Sequence, residues 1–165
     1  MTTLSNKVWQ NPIYFIAFGF GSGLSPIAPG TCGTLAAIPI YWLLSSCSFP
    51  VYVLVTCAAF ILGVKVSDIV SRELGEHDYQ GIVWDEIVGY LLTMLMVPKG
   101  LWWVIAGFIL FRLFDIWKPW PISWVDKRVQ GGLGIMLDDV LAAIPAWIII
   151  QLLAMLLTST GYKTL

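Results

Sequence analysis

Charge is scarce in this chain. Charged residues make up 12% of 165, about half the share found in ordinary soluble domains. That excludes a disordered chain, a coiled coil and an ordinary soluble enzyme. Nine Lys+Arg against ten Asp+Glu give a formal charge of -1, so there is no basic field for nucleic acid and no nucleic-acid partner is expected. Cysteine is scarce too: Cys32, Cys47 and Cys57 form no CxxC pair, and an odd count argues against a disulfide framework. They read as small apolar packing residues. There is one histidine, His77, and no internal repeat or low-complexity tract. The opening MTTLSNKVWQNP has no apolar run before Pro12, and the following IYFIAFGFGSG lacks an A-x-A-like cleavage site, so no cleaved signal peptide is expected.

What is abundant is apolar and aromatic. Hydrophobic residues make up 58%, with nine Trp, six Tyr and eight Phe, and the mean hydropathy is +0.82. Aromatics in this number suit helix ends lodged among lipid headgroups. The chain reads as an all-α, polytopic membrane bundle with short and re-entrant segments, forming one domain over residues 1–165. Its apolar runs are Ile13 to Phe20, Thr34 to Leu44, Val51 to about Arg72, Ile82 to Val97, Leu101 to about Lys118, and about Ile135 to Leu157. At about 1.5 Å per residue, the third spans roughly 33 Å, enough to cross the hydrocarbon, as does the last. Ile82–Val97 and Leu101–Lys118, joined at Pro98-Lys99-Gly100, read as a transmembrane hairpin. Thr34–Leu44 is too short to span and reads as re-entrant or partly inserted.

The alternation of these runs puts Gly75–Gly81 and Pro119–Gly134 on one side and Pro98–Gly100 on the other. The first side collects Lys65, Arg72, Lys118, Lys127 and Arg128, with Arg112 one turn inside, against Lys99 and Lys163 opposite. By the positive-inside rule that side is cytoplasmic. The same tracing gathers acids. Asp85 and Glu86 open one helix, Asp115 closes the next, and Asp138 and Asp139 open the last. Five carboxylates from three helices thus converge at one membrane depth.

First-turn acids gain about 0.3–1 kcal/mol each from the helix dipole. That accounts for Asp85 or Asp138 singly, but not for the doubling at each place, nor for Asp115 at a C-terminus. Clustered carboxylates at membrane depth need a cation, and oxygen ligands without His or Cys select a hard ion such as Mg²⁺. Arg112, Asp115 and Lys118 share one helix face. They read either as a salt-bridge stripe or as Arg112 and Lys118 holding phosphate oxygens while Asp115 touches the metal. The turn Ser25–Thr34, with Gly30 and the Thr31 and Thr34 hydroxyls, can face an anion with backbone N–H groups, or serve helix packing. It is not a Walker A loop. His77, beside Asp78, reads as a solvated loop residue or as an acid or base near the site. The cysteine, Asp-x-Asp-x-Thr and histidine-based phosphatase signatures are missing. Hydrolysis of a phosphate here would then fall to metal-activated water or an aspartyl-phosphate.

GFGSGLSPIAPGTCGTLAAIP, HDYQGIVWDEIVG and FRLFDIWKPWPISWVDKRVQGGLGIMLDDVLA together resemble phosphatidylglycerophosphatase A, a family of bacterial inner-membrane lipid phosphatases. The likeness covers roughly Asn11 to Ala143, with the Asp-Glu-x-x-Gly, Phe-Asp-x-x-Lys-Pro-x-Pro and Gly-Ile-Met-x-Asp-Asp blocks in the family's order. It implies removal of the terminal phosphate from phosphatidylglycerol phosphate, a phospholipid substrate, with Mg²⁺ as cofactor. The motif residues it implies are Asp85, Glu86, Asp115, Lys118, Asp138 and Asp139, with Ser25, Pro29, Gly30 and Thr31 in the first block. Two other classes fit the residues less well. A CDP-alcohol phosphotransferase would need an Asp-x-x-Asp-Gly-x-x-Ala-Arg signature that is absent, and a Mg²⁺ transporter would be opposed by Arg112 and Lys118 among the acids.

Overall fold

The computed structural model describes residues 3–159; Lys163, assigned from the sequence to the side opposite the acids, lies outside the described residues. These fold as α1 (Leu4–Gln10), α2 (Pro12–Ala17), a 3₁₀ segment (Gly19–Leu24), α3 (Pro29–Leu44), α4 (Phe49–Leu74), α5 (Trp84–Thr93), α6 (Leu101–Trp117), α7 (Ile122–Arg128) and α8 (Gly131–Ser159). No strand occurs among the described residues, so the chain is all-α. Two stretches are long and apolar enough to cross a membrane: Phe49–Leu74 with mean hydropathy 2.1 and Gly131–Leu157 with 2.5.

Local chemistry sets the boundaries. Pro50 sits in the first turn of α4, where its missing N–H costs nothing, and Gly75 closes it at φ 72, a left-handed conformation that suits glycine. At the end of α6, Lys118 turns left-handed just before Pro119, whose ring disfavours helix in the preceding residue. The helices alternate between two ends of the bundle. Pro29 and Gly30 of α3 lie beside the acids, while Leu44, with Phe49 and Tyr52 of α4, lines a small cavity with Lys99 at the far end. α5 runs down the middle, with Ile87, Val88, Tyr90 and Leu91 almost fully buried. The Tyr41 and Tyr90 rings meet edge-on at 6.3 Å. At the acid end, Lys7 joins Glu73 at 2.7 Å and Tyr14 at 2.7 Å, tying α1 and α2 to α4.

Several boundaries differ from those expected. α3 starts at Pro29 rather than Thr34, because Pro29 preorganises the first turn. It therefore reaches from the acids to the Lys99 end. The helix expected over Ile82–Val97 stops at Thr93 and is only ten residues long, about 15 Å; Met96 turns to φ 58 ahead of Pro98. Unwound backbone inside an apolar bundle must find partners. Here Trp147 Nε1 (2.8 Å) and Gln151 Nε2 (2.9 Å) both donate to the Leu95 carbonyl, and Tyr52 donates to that of Leu91 at 2.7 Å. The stretch Pro119–Gly134, expected as a connector, contains α7, and α8 begins at Gly131 rather than near Ile135. Asp138 and Asp139 therefore lie in the third turn of α8, beyond the reach of its dipole. α1 has no counterpart among the expected runs, and the first run, Ile13 to Phe20, divides between α2 and the start of the 3₁₀ segment.

Candidate active site

The backbone around α5 fixes where its two acids sit. The Val83 amide donates to Ala17 at 2.9 Å, and Gly23 packs directly on the Gly81 carbonyl, so the 3₁₀ segment clamps the chain just ahead of Trp84. Asp85 and Glu86 then occupy the first turn of α5 and face inward. Asp115 arrives from the last turn of α6, and Asp138 and Asp139 from α8. All five carboxylates, together with Arg112 and Lys118, line one cavity of about 230 Å³. Ala28, Pro29, Gly30, Asp78, Gln80, Ile82 and Ile116 complete its wall. Beside Asp139, Phe111 is fully buried and packs against Gly89, which brings α6 and α8 close to α5.

Within the cavity the acids divide into two kinds. Asp115 is ion-paired with Arg112. Asp138 accepts from Lys118 Nζ at 2.6 Å and from the Asp139 amide at 3.0 Å. Asp85, Glu86 and Asp139 carry one oxygen each within 4.8 Å of one another. Each of these three also has a buried oxygen with no hydrogen-bond partner, namely Asp85 Oδ1, Glu86 Oε2 and Asp139 Oδ2. Nearly every buried polar atom is paired in folded proteins, and buried charges that lack a counter-charge are costly. Three such exceptions on neighbouring carboxylates suit a cation, so this group could hold a metal.

The two cations are placed differently. Arg112 Nη1 bridges Asp115 and, at 3.7 Å, Glu86 Oε1, and its Nε is buried and unpartnered. A free guanidinium donor beside open carboxylates suits an incoming anion. Lys118 lies between Asp138 and Asp126 Oδ1, the latter at 2.7 Å. Burial opposes the charge on Lys118, but the Asp138 and Asp126 carboxylates outweigh it and hold the ammonium protonated well above the ordinary lysine range.

Other residues singled out from the sequence fall elsewhere. Gly30 lines the cavity, and a side chain there would collide with Glu86 Oε1, so the close approach of α3 to α5 requires glycine. Ser25 Oγ donates to the Ile27 carbonyl at 2.8 Å and lines a neighbouring space with Glu76, Tyr79 and Gln80. Thr31 is half-buried but does not line the acid cavity, and Thr34 spends its hydroxyl on the Gly30 carbonyl at 2.9 Å. His77 is exposed and lines a separate cavity of about 700 Å³ with Lys65, Asp68 and Arg72. Asp126 was missed. The only trace in the sequence is the Ile122/Val125 spacing after Pro121, too short a pattern to mark the helix that carries it.

The family described as phosphatidylglycerophosphatase A matches residues 15–154 of this chain. A protein named phosphatidylglycerophosphatase A from Escherichia coli (strain K12) is 47% identical over 136 residues, covering 82% of this chain and 79% of its own length. A protein of the same name from Haemophilus influenzae is 44% identical over 142 residues, covering 85% and 87%. No solved structure matches.

Proposed function

The chain belongs to the phosphatidylglycerophosphatase A family, and from that premise we propose that it hydrolyses the terminal phosphomonoester of phosphatidylglycerol phosphate to phosphatidylglycerol, with Mg²⁺ at the acid cavity, on the cytoplasmic face of a bacterial inner membrane that it crosses several times. The enzyme class follows from the family; substrate, metal and orientation are our reading. The observation that carries the metal is the trio Asp85, Glu86 and Asp139, which lie within ligand distance of one another and each carry a buried oxygen without a partner. Oxygen-only donors with no His or Cys match a hard divalent ion.

Asp85, Glu86 and Asp139 would hold the Mg²⁺. When bound, the ion supplies positive charge that polarises a phosphoryl oxygen and offsets charge growing in the transition state. The protein's own groups do the rest. Arg112 offers its free Nε to a phosphoryl oxygen, and Asp115 holds the guanidinium on the α6 face beside Glu86. Lys118 brings a second fixed positive charge, and Asp138 and Asp126 fix its position. Cations fixed in advance at a water-poor site stabilise a transferring phosphoryl group without reorganising. Arg112 and Lys118 among the acids oppose passage of a cation, which favours a reaction chamber over an ion conduit. Ser25, Thr31 and His77 are assigned no contact with the phosphate in this reading.

The test is phosphate release from phosphatidylglycerol phosphate by the purified protein in detergent. Chelation should abolish release and Mg²⁺ should restore it. Equal rates in excess EDTA would refute the metal, and release from unrelated soluble phosphomonoesters but not from this lipid would refute the substrate.

A further inference from the structure

A lipid phosphatase must take its substrate from the bilayer, and the acid cavity is not walled evenly. Most of its wall is charged or polar, but its apolar members include Ala28 and Pro29, where α3 begins, and Ile116, near the end of α6; buried Ile82 is another. Ile116 lies one residue from Asp115 and four from Arg112, yet it is 70% exposed. It thus belongs both to the reaction chamber and to the outer surface. Below it the outer face of α6 continues as an unbroken apolar stripe of Leu113, Ile109, Ile105 and Trp102, all exposed. The positions repeat at three- and four-residue spacing, so they lie on one line along the helix. From Ile116 to Trp102 that line covers about 21 Å, longer than one leaflet of a hydrocarbon core about 30 Å thick.

Other helices also expose apolar faces, as any membrane helix does. Leu152 and Leu156 on α8 are examples, at 54% and 62% exposure, but their face does not enter the cavity. The α6 stripe, by contrast, ends on Ile116, which lines the acids.

We propose that the gap between Ala28-Pro29 and Ile116 is a lateral portal for the lipid substrate, and that an acyl chain of that substrate lies along the Ile116–Trp102 stripe of α6 while its terminal phosphate reaches the acids. The proposal rests on the lipid-phosphatase reading above. It assigns α6 two functions by face: Arg112 and Asp115 turn inward to the phosphate, and Ile116, Leu113 and Ile109 turn outward to the chain.

Two measurements test it. First, the Ile109→Asn and Leu113→Asn variants are compared with Leu152→Asn on α8, using long-chain phosphatidylglycerol phosphate and a water-soluble dihexanoyl analogue. The α6 variants should lose about fivefold in kcat/KM for the long-chain lipid through a higher KM, the size expected from one lost apolar contact. They should leave the soluble analogue unchanged, and Leu152→Asn should shift neither. Equal losses on both substrates, or equal behaviour of Ile109→Asn and Leu152→Asn, overturn the portal. Second, phosphatidylglycerol phosphate bearing a diazirine on one acyl chain should label the peptide over Leu101–Trp117 above those of α4 and α8, and excess unlabelled substrate should compete. Uniform labelling overturns the portal while leaving phosphatase activity, measured separately, standing. Conversely, a wild-type protein that releases no phosphate from either substrate refutes the reading beneath it, whatever the labelling pattern.

Discussion

Replacing Gly30 by alanine adds one methyl group at the point where α3 touches the site. That methyl would press on Glu86 Oε1 and lie 3.1 Å from Arg112 Nη1. Gly30 is in the first turn of α3 with ordinary helical backbone, so alanine gains about 0.5–1 kcal/mol of helix propensity. Overpacking a tight contact costs about 1–3 kcal/mol, which leaves a net loss of roughly 0–2.5 kcal/mol. For a chain of this size each kcal/mol moves Tm by about 2–4 °C, so the melt should fall by no more than about 10 °C. Activity should fall much further. The methyl has to displace the Glu86 carboxylate, and a shift of about 1 Å in a catalytic group costs on the order of a hundredfold. The assay is Mg²⁺-dependent phosphate release from phosphatidylglycerol phosphate, with a thermal melt of the same detergent preparation. A folded Gly30→Ala protein within about threefold of wild-type turnover, under 1 kcal/mol of barrier, would refute the idea that Glu86 must hold its place against α3.

Asp139→Asn removes one carboxylate charge from the metal trio at constant volume. The metal-free variant should melt higher than metal-free wild type, because an uncompensated buried charge is gone. It should also lose the rise that saturating Mg²⁺ gives the wild type, about 5–10 °C at a hundred times Kd; a lower melt for the metal-free variant would refute the reading. Asp126→Asn should leave Mg²⁺ affinity intact while lowering kcat about tenfold, since Lys118 loses one of its two anchors and a preorganised cation is worth on the order of 2–4 kcal/mol; an effect on metal affinity alone would count against it. Cysteines placed at Lys99 and Gln130 should label from opposite faces of intact cells, and labelling from one face would reverse the tracing of α6.

How much of this was legible in the sequence depends on which force set each feature. α4 and α6 follow hydropathy and proline punctuation, both written locally, and their ends fall within a few residues of expectation. α5 does not. Its apolar run continues through Leu95, Met96 and Val97, and no residue in that run marks a stop at Thr93. The carbonyls freed there are satisfied by Tyr52, Trp147 and Gln151, which lie far along the chain, so the information that permits an early end is tertiary. α7 was hidden for a related reason: seven residues between a proline cluster and a glycine pair carry too little periodicity to separate from a loop.

The site was legible in outline because charge in an apolar chain is conspicuous. Five acids and two cations were placed in one chamber from alternation of helices alone, and all seven line the same cavity. What spacing could not supply was the division of labour among them. Asp138 and Asp139 are adjacent, so any argument from position treats them alike. In the bundle the roughly 100° turn between neighbours on a helix sends Asp138 toward Lys118 and Asp139 toward Asp85 and Glu86. Asp115 looked equally eligible as a metal ligand until Arg112, three residues earlier on the same face, was seen to take it. The two cations thus reduce five candidate ligands to three. Asp115 and Asp138 are each held by a close cation, whereas Asp85, Glu86 and Asp139 each keep a buried oxygen without a partner, and on the proposed reading a divalent ion has the most to neutralise there.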